Sequence, residues 1–287
     1  MPPKHDPDVW LFDLDNTLYP ADCNLFAQID TRMGEFIMRS LGLPLAEAQS
    51  LREAYYYRHG TTLAGLVRLH GVAPDDFLDY VHDIDLSAVV PCPELAAALR
   101  VLPGRKFIFT NGSRKHAEAV ATRLGVSGQF DDICDIHALD YIYPKPMREA
   151  YERFVTAHGV VARQAAMFDD LPHNLETAHA LGMTTVLVHG LTDHPEHQAI
   201  AGWTELPPHI HHRTDTLAPF LADIGAALTA KVEPRDSDSP PPLWGREREG
   251  GSDQRLAEHL PPSAPQAAPA PPQGGSGEQV AALCFIK

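Results

Sequence analysis

A chain of 287 residues can bury one sizeable core or two small ones, and its formal net charge of −15, from 23 Lys+Arg against 38 Asp+Glu, repels phosphate backbones. Nucleic-acid polymers are thereby excluded as partners, although a small phosphate can still be held by local donors in a pocket. The four cysteines, Cys23, Cys92, Cys134 and Cys284, form no CxxC pair and read as free thiols; the polar, proline-broken opening Met1–Asp8 is no signal peptide, and no apolar run approaches the roughly 20 residues that span a bilayer, so a soluble cytoplasmic protein is expected.

The first element is Val9-Trp10-Leu11-Phe12, four bulky apolar residues that read as a short buried strand. Asp13 and Asp15 follow at its exit. Alternation along a strand points both the same way, with Leu14 opposite, before Asn16-Thr17 ends the element. Two like charges so close cost free energy unless a cation neutralises them, and oxygen ligands of this kind suit Mg²⁺. A polar turn is the competing reading, since Asp and Asn are common there.

Residues 21–88 change character. Leu25, Ile29, Met33 and Phe36 recur at helical spacing, and Pro44 precedes an unbroken stretch from Leu45 to Tyr57. A third helix is expected over Thr62–His70, and a fourth starts near Pro74 and carries Phe77, Tyr80, Val81 and Ile84. These make a helical bundle inserted behind the first strand, placed as a lid over that strand's exit.

From Pro93 helices and strands alternate. Helices are expected over Glu94–Leu102, His116–Leu124, Pro146–His158 and Asn174–Leu181. Strands are expected over Lys106–Phe109, Ile133–Ile136, Ala165–Phe168 and Thr184–Val188, with a short edge strand over Ile210–His212 and a closing helix over Leu217–Leu228. This alternation implies a parallel sheet covered on both faces, whose sites form at the carboxyl ends of its strands. Asp13, Thr110 and the pair Asp169-Asp170 all fall at such ends. Residues 231–287 hold 10 of the 26 prolines and 6 of the 20 glycines without any period, which marks a disordered tail.

Asp13/Asp15, Thr110-Asn111-Gly112, Lys145 and Asp169-Asp170 together supply what phosphoryl transfer needs. One aspartate can be the nucleophile, and a second can protonate the departing oxygen and later deprotonate water. Thr110 with backbone N–H groups of Asn111 or Gly112 can hold phosphoryl oxygens. Lys145 brings a fixed positive charge, and the acidic pair completes an oxygen cage for Mg²⁺. The histidines His194, His197, His209, His211 and His212 lack thiol or paired carboxylate partners and are read as solvated rather than metal-binding.

Asp13-Leu-Asp-Asn-Thr-Leu18 resembles the first motif of the haloacid dehalogenase-like superfamily, Thr110-Asn111-Gly112 its second, Lys145 its third and Phe168-Asp-Asp170 its fourth. The resemblance spans roughly residues 8–225. It implies an α/β fold, a Rossmann-like three-layer parallel-sheet core (residues 1–20 and 89–230) with an inserted α-helical bundle cap of the C1 type (residues 21–88). It implies Asp13 as nucleophile, Asp15 as acid/base, and Mg²⁺ held by Asp13, the Asp15 backbone carbonyl and the acidic pair, Asp170 directly and Asp169 behind it.

Two further stretches, Tyr57-Arg58-His59-Gly60-Thr61-Thr62-Leu63-Ala64-Gly65-Leu66 and Asp170-Leu-Pro-His-Asn174, look like the pyrimidine 5′-nucleotidase branch, with His59 where that branch often has tyrosine. Tyr57, Arg58 and His59 are accordingly expected to read the substrate. The expected activity is hydrolysis of a small-molecule phosphate ester, a pyrimidine nucleoside 5′-monophosphate, through an aspartyl-phosphate. The alternatives are a sugar phosphate or phosphoglycolate as substrate, or a catalytically silent nucleotide-binding module. Dehalogenation is disfavoured because it needs no proton donor at Asp15, and a signalling receiver domain because its acidic pair comes first along the chain.

Overall fold

The computed structural model describes residues 6–190, 198, 200 and 202–232. The expected tail lies outside the described residues except for Lys231 and Val232, which belong to the final helix. His194 and His197 also lie outside them.

Six strands form one parallel sheet: β1 (Val9–Phe12), β2 (Arg105–Phe109), β3 (Asp132–Cys134), β4 (Ala165–Asp169), β5 (Thr184–Val188) and β6 (His212–Thr214). Their order is β3-β2-β1-β4-β5-β6. The opening strand is therefore central, with Phe12 level with Ile108 of β2 on one side and Phe168 of β4 on the other. A parallel sheet buried on both faces needs apolar residues at consecutive positions, and all four residues of β1 are buried.

Odd and even positions feed different cores. Val9 and Leu11 join Phe107, Phe109 and Met167 against α7 (Arg148–His158) and α8 (Pro172–Ala180). Trp10 and Phe12 join Ile108, Ala166 and Phe168 against α5 (Pro93–Val101), α6 (Arg114–Leu124) and α9 (Leu217–Val232). Each fully buried side chain of this size contributes about 1.5–3 kcal/mol by leaving water. The Trp10 indole N–H also finds a partner, donating to the Pro103 carbonyl at 2.6 Å.

The inserted segment is helical as expected: α1 (Leu25–Leu41), α2 (Leu45–His59), α3 (Thr62–His70) and α4 (Pro74–Val81). Gly60 ends α2 at φ +84°, a conformation that favours glycine, and a Cβ there would meet Pro144 Cγ at 2.9 Å. Thr61 then caps α3, its hydroxyl accepting from the Ala64 N–H at 3.1 Å. Polar contacts join this segment to the sheet domain. Arg68 donates to the Ile142 carbonyl at 2.6 Å, Tyr141 donates to Asp75 at 3.0 Å, and Lys115 pairs with Asp79 at 2.7 Å.

The strand expected over Ile133–Ile136 is Asp132–Cys134 and the helix expected from Pro146 starts at Arg148, and two other expectations shift. The edge strand is His212–Thr214 rather than Ile210–His212: Ile210 is buried as its apolar character implies, yet it lies before the residues that pair with β5. The opening strand ends at Phe12, so strand alternation does not carry through to Asp15, which sits in the following turn.

Candidate active site

Each candidate side chain leaves the carboxyl end of a strand or the loop just beyond it. The Asp13 N–H donates to the Phe168 carbonyl at 2.8 Å, and the Thr110 N–H donates to the Cys134 carbonyl at 3.0 Å, so both extend the sheet's own ladder by one bond. Lys145 arrives on the loop between β3 and α7, and its ammonium is buried. It donates to Asp13 Oδ1 and to Asp169 Oδ2, both at 2.7 Å. Asn111 fixes this loop reciprocally, donating to the Lys145 carbonyl at 3.0 Å and accepting the Lys145 N–H at 2.8 Å. Its amide thus holds the lysine. The Gly112 N–H is spent within its own turn, donating to Thr110 Oγ1 at 2.9 Å, which leaves the Thr110 hydroxyl proton for another acceptor.

Asp13, Asp169 and Asp170 each bring a carboxylate oxygen within 4.8 Å of the others. Asp169 is fully engaged: Oδ2 accepts from Lys145, while Oδ1 accepts from the Leu171 N–H at 3.0 Å and the Asn174 amide at 2.9 Å. Burial, the main cause, pushes the Asp13 carboxyl well up. The Lys145 ammonium opposes this, and the carboxylates of Asp169, Asp170 and Asp15 add to it. Burial and then Asp169 push Asp170 up in the same way, against the pull of Lys145 and of a hydrogen bond from Asn16. Burial alone would lower the Lys145 pKa, but Asp13 and Asp169 more than offset it and hold the ammonium above the usual lysine range. Three carboxylates facing one ammonium are short of positive charge, and an all-oxygen set fits a hard divalent cation.

The Asp15 carboxylate stands apart from this trio. Its Oδ1 accepts from the Tyr19 hydroxyl at 2.7 Å and from His116 Nε2 at 2.9 Å. Burial works against its charge, but the His116 charge and hydrogen bond, with that of Tyr19, outweigh it and hold the carboxyl below its ordinary value. Neither Tyr19 nor His116 was singled out by the sequence, because the pairing of Asp15 with His116 spans 101 residues. The one local signal is Tyr19, four residues beyond Asp15. His82, one residue past α4, stacks on His116 with ring centroids 4.4 Å apart at 9°. Burial and the His116 charge push the His82 imidazole down to about 3, so it is neutral.

Above these groups lies a cavity of about 910 Å³, lined from below by Asp13, Asp15, Thr110 and Asp170 and from the inserted helices by Arg52 and Tyr56, among others. Tyr57 also lines it, whereas Arg58 and His59 do not. The helical repeat explains the division. Arg52/Tyr56 and Glu53/Tyr57 are four-residue pairs on one face of α2, while His59 turns with Tyr55 toward α3, their rings 5.6 Å apart.

A family model described as haloacid dehalogenase-like hydrolase matches residues 7–182, more than half of the chain. The chain belongs to the haloacid dehalogenase-like hydrolase family. Asp13, Thr110, Lys145 and Asp170, one from each of the four stretches that the sequence singled out, line the same cavity. Among similar proteins, Phosphate metabolism protein 8 of Saccharomyces cerevisiae is 30% identical over 213 residues, covering 65% of this chain and 64% of that protein. The chain thus spans under two thirds of that relative's length. Validoxylamine A 7'-phosphate phosphatase of Streptomyces hygroscopicus subsp. limoneus is 28% identical over 202 residues, covering 67% of this chain and 89% of that protein. Among solved structures, L-2-haloacid dehalogenase from Xanthobacter autotrophicus is 18% identical with a TM-score of 0.45, over 78% of this chain and 98% of that one. The HAD-hydrolase YfnB of Bacillus subtilis, solved with magnesium, is 14% identical with a TM-score of 0.47, over 77% of this chain and 99% of that one.

Proposed function

We propose that this hydrolase is a Mg²⁺-dependent phosphomonoesterase that cleaves nucleoside 5′-monophosphates, pyrimidine ones first, through an aspartyl-phosphate. The carrying observation is the Lys145 ammonium clamped between Asp13 and Asp169, beside Asp170 and beneath a roofed cavity. Asp13 attacks phosphorus as the bond to the alcohol oxygen breaks, and Asp15 gives that oxygen a proton. Asp15 then takes a proton from water as the water oxygen attacks phosphorus and Asp13 is released. The phosphate ester brings its own negative charge beside Asp15, which raises that carboxyl's proton affinity and lets it bind the proton it transfers.

Asp13 and Asp170, with the Asp15 backbone carbonyl, would hold Mg²⁺, and Asp169 stands behind them as the partner of Lys145. When bound, the ion supplies positive charge against the phosphoryl oxygens. Thr110 donates its hydroxyl to one of those oxygens, with the Asn111 backbone N–H beside it, while Asn111 and Gly112 also shape the turn. Residues 21–88 act as the cap, and residues 1–20 with 89–230 as the catalytic core. In the cap Tyr57 keeps the role of reading the base. Arg52 and Tyr56 replace Arg58 and His59, which lie off the cavity's lining. The free thiols Cys23, Cys92 and Cys134 suit a cytoplasmic enzyme. Among the described residues no helix is long and apolar enough to cross a membrane.

A second reading, a sugar-like phosphate ester as substrate, is favoured by the relative named for a 7'-phosphate of validoxylamine A. A phosphate-release screen over nucleotide and sugar monophosphates, with and without Mg²⁺, separates the two. UMP and CMP are expected to be cleaved fastest, only with Mg²⁺, and not at all by Asp13→Asn. Activity confined to sugar phosphates would transfer the proposal to the second reading, and turnover by Asp13→Asn would remove both.

A further inference from the structure

Two donors share one oxygen of Asp15, and the other oxygen has none. Tyr19 and His116 are both almost completely buried and both bond to Oδ1, while no hydrogen bond among the described residues reaches Oδ2. The Tyr19 phenol stays protonated, because burial and then the Asp15 carboxylate push its pKa well up, so it can only donate here. His116 Nε2 must carry a hydrogen to share a carboxylate oxygen with it. The imidazole is itself held in place. Ser113 caps α6 by accepting the His116 N–H at 3.3 Å, and the same hydroxyl bonds to His82 Nδ1 at 3.0 Å while the His82 ring stacks on His116.

We propose that Tyr19 and His116 are positioning residues that reserve Asp15 Oδ2 as the oxygen that carries the proton in both halves of the reaction. This rests on the phosphomonoesterase reading above. An oxygen already accepting two hydrogen bonds is a poor place for a proton, so protonation goes to the other oxygen of this cavity-lining residue. In the first half the P–O bond to the alcohol breaks, its electron pair stays on the alcohol oxygen, and the Oδ2 proton moves to that oxygen. Asp13 forms the new bond to phosphorus. The negative charge left on Asp15 is met by the two donors at Oδ1. In the second half Oδ2 takes a proton from water as the water oxygen bonds to phosphorus and the bond between phosphorus and Asp13 breaks, restoring the starting state. His82 comes from the inserted helices, so the ring that orients Asp15 is wedged from the cap side.

The test is the single-turnover rate of phenol release from 2,4-dinitrophenyl phosphate, whose leaving group departs unprotonated, and from phenyl phosphate, whose leaving group needs the proton. Tyr19→Phe and His116→Leu are expected to slow phenyl phosphate about ten- to hundredfold, the order of loss a misplaced catalytic group gives. The dinitrophenyl ester should stay within about twofold. His116→Gln, which still offers an N–H, should recover most of the loss. Equal loss on both esters, or none on phenyl phosphate, overturns the inference. Tyr19→Phe removes a single oxygen and carries the test if His116→Leu does not fold. If Asp13→Asn releases phenol as fast as the unaltered protein, the phosphomonoesterase reading fails and takes this inference with it; a dead Asp13→Asn beside uniform losses sinks the inference alone.

Discussion

Buried charge at Asp13, Lys145, Asp169 and Asp170 is tolerable only if it is balanced, and the described residues leave the balance short of cations. The shortage has a measurable sign at Asp170. Its folded-state carboxyl is raised by burial and then by Asp169. A carboxyl raised in this way gives stability that is complete below its ordinary value of 3.8 and is lost as pH rises through the folded value. At neutral pH without a divalent ion Asp170 is therefore a cost, because the unfolded chain ionises this carboxyl more readily than the folded one does. Asp170→Asn should raise the melting temperature there, by about 2–4 °C for each kcal/mol relieved in a domain of this size, and should erase the upward shift that Mg²⁺ is expected to give the unaltered protein. A lowered melting temperature in metal-free buffer, or a Mg²⁺ shift that survives the substitution, would contradict this. The acidic groups and Lys145 were legible in the sequence because each follows a strand. The partners of Asp15 were not, because Tyr19 lies just past a polar turn and His116 in the first turn of a helix, and neither position announces a carboxylate partner.

At the scale of elements, α2 and α3 meet so closely that one position admits no side chain. A Cβ on Gly65 would lie 2.4 Å from Cγ of the Tyr55 ring and 2.6 Å from its Cβ, atoms near the backbone that cannot swing away. Tyr55 is also tied at its far end, its hydroxyl 2.5 Å from His70 Nε2. Gly65→Ala should therefore cost about 1–3 kcal/mol by overpacking, read as a lower urea midpoint at unchanged slope. An unchanged midpoint would mean that the two helices separate freely. The helix Thr62–His70 and the strand Thr184–Val188 were legible to the residue. The first is bounded by a capping threonine and a terminal glycine, and the second is β-branched at all but Leu187. The edge strand was misplaced because His212–Thr214 is polar and half-buried, and its pairing with β5 leaves no hydrophobic signature.

At the scale of the whole molecule, the chain divides into Met1–Arg235, which holds the sheet and the inserted helices, and Asp236–Lys287. A chain ending after Arg235 is expected to keep both the melting temperature and the phosphate-release rate of the 287-residue chain; a marked fall in either would show that the first unit depends on the second. The parallel architecture was legible from the alternation of helices and strands. The order of the strands was not, since nothing local tells the first strand that it will lie between the second and the fourth.

That central berth has a mechanical consequence. Asp13 sits one residue past a strand gripped from both flanks, by β2 through Val9–Phe12 and by β4 over the same four positions. A disturbance starting at the sheet's rim, in β3 or β6, must cross at least one intervening strand before it can move the Asp13 carboxylate. The periphery can be rewritten while the proposed nucleophile stays still, and the least forgiving place for an inserted residue is the single step between Phe12 and Asp13.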